Sequence, residues 1–236
     1  MEVKILDKNE IEKIVANRIC SLIKNKPSLV LGLATGSTPV GVYKKLIEKY
    51  KNNKVSFKDV KTFNLDEYVG LDNCHNQSYN FFMCSNLFDH IDIKKENTNF
   101  PDNKSNNPSK YDDKIALAGG IDFQILGIGS NGHIAFNEPG TDFNSLTHMV
   151  ELTDSTIKDN SRFFNSVSEV PTKAVSMGLK SIMNAKEIVL IALGKNKSKA
   201  IASLLKDEPN ISLPASILKT HKNVTIYCDE EAASLI

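Results

Sequence analysis

One glycine-rich segment, GIGSNGHIAFNEPG at residues 127–140, carries the side chains best suited to acid-base chemistry. His133 offers an imidazole, which can accept and release a proton near neutral pH, and Glu138 offers a carboxylate five residues further on. Asn131 and Asn137 place two hydrogen-bonding amides in the same loop. A glycine-flanked histidine is often purely structural, but this density of polar groups supports a catalytic interpretation equally well.

Two other interpretations of this segment fit the sequence less well. Gly127, Gly129 and Gly132 match the G-x-G-x-x-G pattern of dinucleotide-binding sites. However, Pro139 would break the helix that this pattern needs, and the segment lies beyond the middle of the chain instead of in its first βα unit. The chain also has neither an HExxH motif nor a Cys/His cluster, which argues against a zinc site.

A second candidate for acid-base chemistry is the pair of adjacent carboxylates in NLDEYVG at residues 64–70. If a strand continues through Asp66 and Glu67, their side chains point to opposite sides, so only one of them faces a given crevice. That carboxylate could act as a general base or bind a metal, or the pair could cap a turn or a helix. The sequence leaves these alternatives open.

The turn TGST at residues 35–38 could bind an anion, with phosphate as the natural candidate. It joins a predicted strand to a predicted helix, where backbone N–H groups and the positive end of the helix dipole attract negative charge. It is not a Walker loop, because the required lysine is missing. The same residues also fit an ordinary turn in which Ser37 or Thr38 is the N-cap.

Basic side chains could complete such an anion site. The segment GKNKSKA at 194–200 places Lys195, Lys197 and Lys199 at the start of a predicted helix, where cations oppose the helix dipole. They make better sense beside an anion, although a solvated basic face is the simpler explanation for most of them. Arg162, in NSRFF, is either a surface arginine or a bidentate phosphate clamp.

The elements that must position these residues follow from hydrophobic periodicity. Strands are predicted at the VKIL run near the N-terminus and at residues 28–34, 60–65, 121–128, 187–193 and 223–228. Helices are predicted at residues 10–23, 39–50, 78–88, 109–118, 172–184 and 196–206, and a surface loop at 97–109. Alternation of this kind predicts an α/β fold with a mostly parallel sheet and helices on both faces.

Ligands of such folds bind in the crevice at the carboxyl ends of the strands. The candidate segments come just after predicted strands, so we expect them to converge on one crevice. No linker, repeat or low-complexity tract divides the 236 residues, so we expect residues 1–236 to form a single domain.

Overall composition argues against several classes of protein. The 29 Lys and Arg residues against 28 Asp and Glu leave a net charge of +1, which provides no general field for attracting nucleic acid or a membrane. The four cysteines form no CxxC pair, the N-terminus does not resemble a secretory signal, and no apolar stretch reaches about 18 residues. We therefore expect an unexported, cytoplasmic protein.

Five motifs together resemble the glucosamine-6-phosphate deaminase family, also called glucosamine-6-phosphate isomerases. They are LGLATGSTPVGVY, FNLDEYVGL, GIGSNGHIAFNEPG, NSRFF and LPASILKTH, in the family's order over nearly the whole chain. The resemblance implies a Rossmann-like, open three-layer α/β/α fold. It also implies conversion of glucosamine 6-phosphate and water to fructose 6-phosphate and ammonia in amino-sugar catabolism, with no organic cofactor and no metal.

The resemblance also implies a role for each candidate residue. His133 moves protons during opening of the sugar ring, and Glu138 and Asn131 orient it. Asp66 takes the proton from C2 and delivers one toward C1 through an enolamine. The substrate's phosphate is assigned to Gly36, Ser37, Thr38, Arg162 and Lys197. Arg162 falls within a mobile lid of roughly residues 155–180, whose closure would exclude water.

The chain departs from the family's pattern in two respects. Some members have an aspartate at the position of Asn131; an amide carries no charge to stabilise an imidazolium, although it can fix a tautomer. Hexameric members bind an N-acetylated sugar phosphate as an activator through basic residues, and His148 and Val150 stand where those cations would fall. The chain also ends soon after Cys228, without the longer C-terminal segment of those enzymes. The missing effector cations and the missing C-terminal segment predict an unregulated monomer.

Two rival functions use related features. 6-Phosphogluconolactonases share the fold and an analogous Gly-His loop, but their loop usually continues toward TASLFP, whereas IAFNEP in this chain supplies Glu138. A sugar-phosphate sensing domain, as attached to bacterial repressors, would keep a phosphate pocket without catalysis. No basic helix-turn-helix precedes this domain, and Asp66, His133 and Glu138 are all present, which favours an enzyme.

Overall fold

A seven-stranded sheet contains every strand that the sequence predicts. The computed structural model describes residues 1–161, 164 and 166–236. The strands of this sheet are β1 (Glu2–Ile5), β2 (Val30–Leu33), β3 (Lys61–Asn64), β5 (Thr98–Asn99), β6 (Phe123–Leu126), β9 (Ile188–Ala192) and β10 (Val224–Cys228). They lie in the order β1-β10-β9-β6-β2-β3-β5, and all the pairs are parallel.

Helices cover both faces of this sheet. They are α1 (Lys8–Asn25), α2 (Val40–Lys51), α3 (Tyr79–Asn86), α4 (Lys110–Leu117), α5 (Asp154–Asn160), α6 (Leu179–Met183) and α7 (Ser198–Lys206). The first begins where Asp7 accepts hydrogen bonds from the N–H groups of Asn9 and Glu10, as an N-cap does. Within the described residues, no helix has both the length and the apolar character needed to span a membrane.

The central strands separate two hydrophobic cores. Along β9, Ile188 and Leu190 pack into the core formed with α4, α6 and α7, whereas Val189 and Ile191 pack into the core formed with α1, α2 and α3. Because successive strand side chains point to opposite faces, a strand buried on both faces is apolar throughout, as IVLIA is. The predicted three-layer α/β/α class is confirmed.

The order of the strands fixes where a crevice forms. From β2 the chain moves outward through β3 to β5, then returns to place β6 on the other side of β2 and continues outward through β9 and β10. The direction of winding therefore reverses between β2 and β6. In open parallel sheets the ligand site lies at such a reversal, beyond the carboxyl ends of the strands. The turn after β2 and the glycine-rich loop after β6 meet there.

A second, antiparallel sheet overturns one prediction. Strand β4 (Asp66–Tyr68) pairs with β8 (Lys173–Ser176), which also pairs with β7 (His148–Glu151). The helix predicted at 172–184 is therefore wrong in its first half, and only α6 is helical. Two strand partners distant in the sequence satisfy the backbone of β8. The backbone of Gly178 is extended, and its Cα lies so near Ser145 that an added Cβ would be 2.2 Å from the Ser145 carbonyl oxygen.

Two smaller differences concern the chain's irregular segments. The loop predicted at 97–109 contains β5, a two-residue edge strand that pairs with β3. Helix α5 was not among the predicted helices. It begins where the Thr153 side chain accepts a hydrogen bond from the N–H of Thr156, so its start is a standard threonine N-cap.

Candidate active site

A cavity of about 440 Å³ lies at the reversal of strand order and is lined by loops that follow β2, β3, β6 and β9. Six of the residues singled out from the sequence line it: Gly36, Ser37, Thr38, Asp66, His133 and Lys197. The segments that carry them are separated by up to about 160 positions in the chain and meet because parallel strands end at one edge of the sheet.

Part of the cavity wall has the features of an anion site. Gly36 adopts a positive φ of 83°, which a residue without a side chain tolerates best, and the turn leads directly into α2. The N–H groups at the start of a helix have no intrahelical acceptor and attract anions. Ser37 and Thr38 add two hydroxyl donors beside them.

Only one of the three candidate lysines reaches the described cavity wall. Lys197 lines the cavity, whereas Lys195 and Lys199 are exposed and are not among its lining residues. The turn that presents Lys197 is held in place at Gly194, which has a φ of 88° and donates its N–H to the Asp229 carboxylate at 2.9 Å.

The two adjacent carboxylates point in different directions. Asp66 is 6% exposed and lines the cavity, whereas Glu67 is 1% exposed and turns into the protein. Glu67 accepts three backbone hydrogen bonds of 2.9 Å, from Tyr68 and from Tyr79 and Asn80 at the start of α3. It therefore acts as a cap for α3 and takes up the N–H donors in its neighbourhood.

Burial without hydrogen-bond donors controls the charge of Asp66. No hydrogen bond to its carboxylate arises from the described residues. Burial, and secondarily the negative charge of Glu67, raise the pKa of Asp66 to about 8. Burial also raises the pKa of Glu67, although its three N–H donors oppose that effect. Asp66 is thus a carboxylic acid poised to exchange a proton close to neutral pH, as a general base requires.

The glycine-rich loop folds tightly around His133. The N–H of Gly129 donates to the carbonyl of His133 at 2.8 Å, and a Cβ on Gly129 would lie 2.4 Å from the imidazole ring. Gly132 has a φ of 85°. The glycines therefore allow the backbone to approach the ring and the chain to reverse, which is a different use from the dinucleotide pattern that their spacing resembles.

Glu138 lies behind His133 and is held by several donors. Its Oε2 accepts a 2.7 Å hydrogen bond from the Asn131 amide and lies 3.5 Å from His133 Nδ1, while Oε1 accepts a hydrogen bond from the Thr156 hydroxyl. Burial alone would raise the pKa of Glu138, but its pairing with His133, followed by Thr156 and Asn131, lowers it to about 2. Glu138 is therefore a fixed negative charge.

Asn131 contacts His133 through the backbone and not through the ring. Its Oδ1 accepts a hydrogen bond from the His133 N–H at 3.2 Å, in addition to the bond that its amide donates to Glu138. Nδ1 of His133 is buried and makes no hydrogen bond of standard geometry with the described residues, so its contact with Glu138 is a longer, electrostatic one.

The structure therefore brings together most, but not all, of the predicted site residues. Asn131 and Glu138 support His133 from behind without lining the cavity, and Arg162 lies outside the described residues. Sequence reasoning missed five polar residues of the lining: Lys8, Tyr79, Thr156, Asn160 and Asn196. The described part of the chain contains no group of three or more His, Cys, Asp and Glu side chains suited to hold a metal ion.

Chemically, the cavity combines two side chains suited to proton transfer with the features of an anion site. Asp66 and the imidazole of His133 face the same space, and Glu138 provides the negative charge beside the imidazole. Lys197 and the Gly36–Thr38 turn lie on the wall of the same cavity. This arrangement suits a small anionic substrate that undergoes proton transfer between neighbouring atoms.

Comparison with known proteins places these features in a family. The model of the family "Glucosamine-6-phosphate isomerases/6-phosphogluconolactonase" matches residues 8–227. A glucosamine-6-phosphate deaminase of Mycoplasma mycoides subsp. mycoides SC is 55% identical over 230 residues, covering 95% of this chain and 94% of that protein.

Solved structures agree with this result. A structure described as that of a monomeric glucosamine-6-phosphate deaminase superposes with a TM-score of 0.97 at 41% identity, covering 100% of both chains. A 6-phosphogluconolactonase from Trypanosoma cruzi has a TM-score of 0.79 at 19% identity, covering 99% of this chain and 96% of that one. At that level of identity the likeness shows a shared fold only.

Proposed function

The chain belongs to the family of glucosamine-6-phosphate isomerases and 6-phosphogluconolactonases, and we propose that it converts glucosamine 6-phosphate and water to fructose 6-phosphate and ammonia. The observation that carries this proposal is the shared cavity of Asp66, His133, Lys197 and the Gly36–Thr38 turn. An aldose-to-ketose conversion needs proton transfer at one end of the sugar and a grip on the phosphate at the other.

His133 opens the pyranose ring in the first step. Opening requires a proton to leave the anomeric hydroxyl and a proton to reach the ring oxygen, and one imidazole can perform both transfers. Glu138 lies 3.5 Å from Nδ1 and supplies a negative charge that stabilises the imidazolium formed on the way. Asn131 holds that carboxylate and the His133 backbone in place.

Asp66 carries out the isomerisation. As a carboxylate it removes the proton from C2 while the C1 carbonyl oxygen takes up a proton from the substrate's ammonium group, which gives an enolamine, and it then returns its proton to C1. The imine that results at C2 is hydrolysed by water to the ketone and ammonia. Because its pKa is raised to about 8, Asp66 is a stronger base than an ordinary aspartate when it is ionised.

The remote end of the cavity binds the phosphate. Gly36, Ser37, Thr38 and Lys197 supply N–H, hydroxyl and ammonium donors there, and Arg162 is assigned to the same group by the family resemblance alone. These contacts lie away from the reacting carbons, so their main effect is to fix the orientation of the open-chain sugar.

Ammonia release from glucosamine 6-phosphate tests the proposal, with Asp66→Asn and His133→Gln as variants. Each should slow turnover about 10²- to 10⁴-fold, which is the usual contribution of a general acid or base. Asp72→Asn and His75→Gln are matched controls, because both residues are exposed and do not line the cavity. Near-normal rates in both site variants would contradict the assignment, and hydrolysis of 6-phosphogluconolactone without ammonia release would favour the rival activity.

A second experiment tests the phosphate end. Lys197→Ala should raise KM about 10- to 100-fold with a smaller change in kcat, since a hydrogen bond to a charged group contributes about 1.5–3 kcal/mol. Lys199→Ala, at an exposed position two residues further on, should leave KM unchanged. An unchanged KM in Lys197→Ala together with a raised KM in Lys199→Ala would transfer the role to the other lysine.

We also infer that residues 1–236 act as one domain and as an unregulated monomer. β1 and β10, from the two ends of the chain, pair with each other in the main sheet, which supports a single unit.

His148 and Val150 lie on β7, where the effector-binding cations of the hexameric members would fall. Light scattering should give the mass of one chain, and rate curves should be hyperbolic with or without N-acetylglucosamine 6-phosphate. Sigmoidal curves would contradict the inference.

A further inference from the structure

The Glu138 carboxylate is held from two separate parts of the chain. Oε2 is bound by the Asn131 amide at 2.7 Å within the glycine-rich loop and faces His133. Oε1 is bound by the hydroxyl of Thr156, which lies on α5. The loop alone therefore secures only the oxygen that faces the imidazole, and α5 secures the other one.

We propose that Thr156 is a positioning residue, whose hydroxyl fixes the Glu138 carboxylate so that its second oxygen remains against His133. The proposal rests on the proposed function, because it assigns Thr156 a part in the same proton transfers. It extends the site beyond the residues that the family motifs contain, since Thr156 belongs to none of the five motifs.

The direction of this hydrogen bond is fixed by chemistry. An ionised carboxylate can only accept hydrogen bonds, so the single hydroxyl proton of Thr156 must be donated to Glu138. Thr156 is itself pinned, because it is 5% exposed, its N–H donates to the Thr153 hydroxyl oxygen, and the two hydroxyl oxygens lie 3.1 Å apart. The hydroxyl of Thr153 also lies 3.4 Å from Oε1, but its single proton can be donated either to Thr156 or to Glu138.

Rotation of the carboxyl group explains why the second oxygen matters. The terminal torsion of a glutamate is broad, so a carboxylate held at one oxygen can turn about that contact. With both oxygens held, Oε2 stays within 3.5 Å of the imidazole Nδ1. His133 is the titratable described group that faces Glu138, and Asp66 lines the same cavity.

The decisive comparison is Thr156→Val against Thr156→Ser. Valine keeps the shape of threonine but removes the donor, whereas serine keeps the donor. We expect kcat to fall about tenfold in Thr156→Val, the usual effect of losing a hydrogen bond to a charged group, with KM within about twofold of the wild type. Thr156→Ser should restore most of kcat. A serine variant as slow as the valine variant would overturn the proposal, as would an unchanged kcat in Thr156→Val.

Thr147→Val is a matched control. Thr147 is 3% exposed, and its hydroxyl makes no hydrogen bond with the described residues, so the same substitution removes no contact to Glu138. Its kcat should equal that of the wild type.

A rise in KM with unchanged kcat in Thr156→Val would identify Thr156 as a substrate contact and overturn the positioning role. If Thr156→Val folds poorly, Thr156→Ala against Thr156→Ser provides the same contrast.

A readout independent of activity separates this proposal from the proposed function. Loss of the Thr156 donor should raise the pH at which the Glu138 side-chain carboxyl titrates, followed by carbon-detected NMR in the unliganded protein. Identical titration of Glu138 in Thr156→Val and the wild type would overturn the positioning role even if the wild type releases ammonia. Absence of ammonia release from the wild type would refute the proposed function alone.

Discussion

Asp66 and Glu138 are carboxyl groups of one site, yet their environments shift their pKa values in opposite directions. Both are largely removed from water, so burial acts on each in the same direction and raises its pKa. In Glu138 the neighbouring His133, followed by the donors Thr156 and Asn131, outweighs burial and brings the pKa down to about 2. In Asp66 the negative charge of Glu67 adds to burial, and the pKa rises to about 8.

The difference originates in where the backbone donors are directed. Glu67, the residue next to Asp66, binds the N–H of Tyr68 and two N–H groups at the start of α3, so these donors cannot stabilise the charged form of Asp66. Glu138 lies between a loop and α5, both of which supply donors. The pair thus separates into a fixed anion and a proton-exchanging acid, which is how active sites assign distinct roles to like groups.

The largest effect expected from this comparison is on the pH dependence of catalysis. If Asp66 must be ionised, kcat/KM should rise roughly 50-fold between pH 6 and pH 8, because the ionised fraction increases about tenfold per pH unit below its pKa. The substrate's own groups also titrate in this range. The measured quantity is therefore the ratio of wild-type to Asp66→Asn rates, in which those contributions cancel. A ratio that stays constant over this range would contradict the requirement for ionised Asp66.

Ionisation of Asp66 should also lower the free energy of unfolding as the pH rises. Its folded pKa lies above the value of an unfolded aspartate, so the stabilisation from its neutral form is complete below about pH 4 and is lost as the pH rises toward 8. Asp66→Asn removes this loss and should be more stable than the wild type at pH 8 by at least about 1.4 kcal/mol, the equivalent of one pKa unit. Urea unfolding at pH 5 and pH 8 checks this, and a gain that does not grow with pH would refute it.

The framework of the fold could be predicted from the sequence because it depends on local patterns. Strands β2 and β9 are uncharged apolar runs bounded by turn residues, and such runs predict buried parallel strands wherever they occur. The α/β class follows from the same local patterns. Both this class and the family resemblance were confirmed. The prediction failed at β8, whose apolar spacing also fits a helix and whose strand partners lie far away in the sequence.

The candidate site could be predicted less completely. Motifs indicated Asp66, His133 and Glu138. They did not indicate the environments that set the pKa values of the two carboxyl groups, because those depend on Glu67 and on Thr156 of α5. Lys8 was missed since only the packing of α1 brings it to the cavity wall. Burial and long-range hydrogen bonds are properties of the assembled structure, and no spacing rule encodes them.

Glu138 should affect stability with the opposite pH trend. Its lowered pKa contributes stability above the ordinary glutamate value of 4.5, and this contribution is lost as the pH falls toward 2. Glu138→Gln should therefore cost about 1 kcal/mol at pH 7, with a difference from the wild type that narrows between pH 4.5 and pH 3. Glu151→Gln is the control, because its carboxylate is 80% exposed and a surface ion pair with Lys173 contributes little. A difference that widens at low pH would contradict this assignment of charge.

The smallest expected effect isolates the contribution of Glu67 to the pKa of Asp66. Burial is the larger cause of that raised pKa and the charge of Glu67 the smaller, so Glu67→Gln should move the midpoint of the pH-rate profile down while leaving it well above that of an ordinary aspartate. Glutamine also weakens the capping of α3, because its amide would face one of the three N–H donors. Ser78→Ala is therefore the matched control: it removes the other cap of α3, the hydrogen bond that Ser78 accepts from the N–H of Phe81, without changing any charge. An equal shift in both variants would mean that α3, and not the charge of Glu67, sets the titration of Asp66.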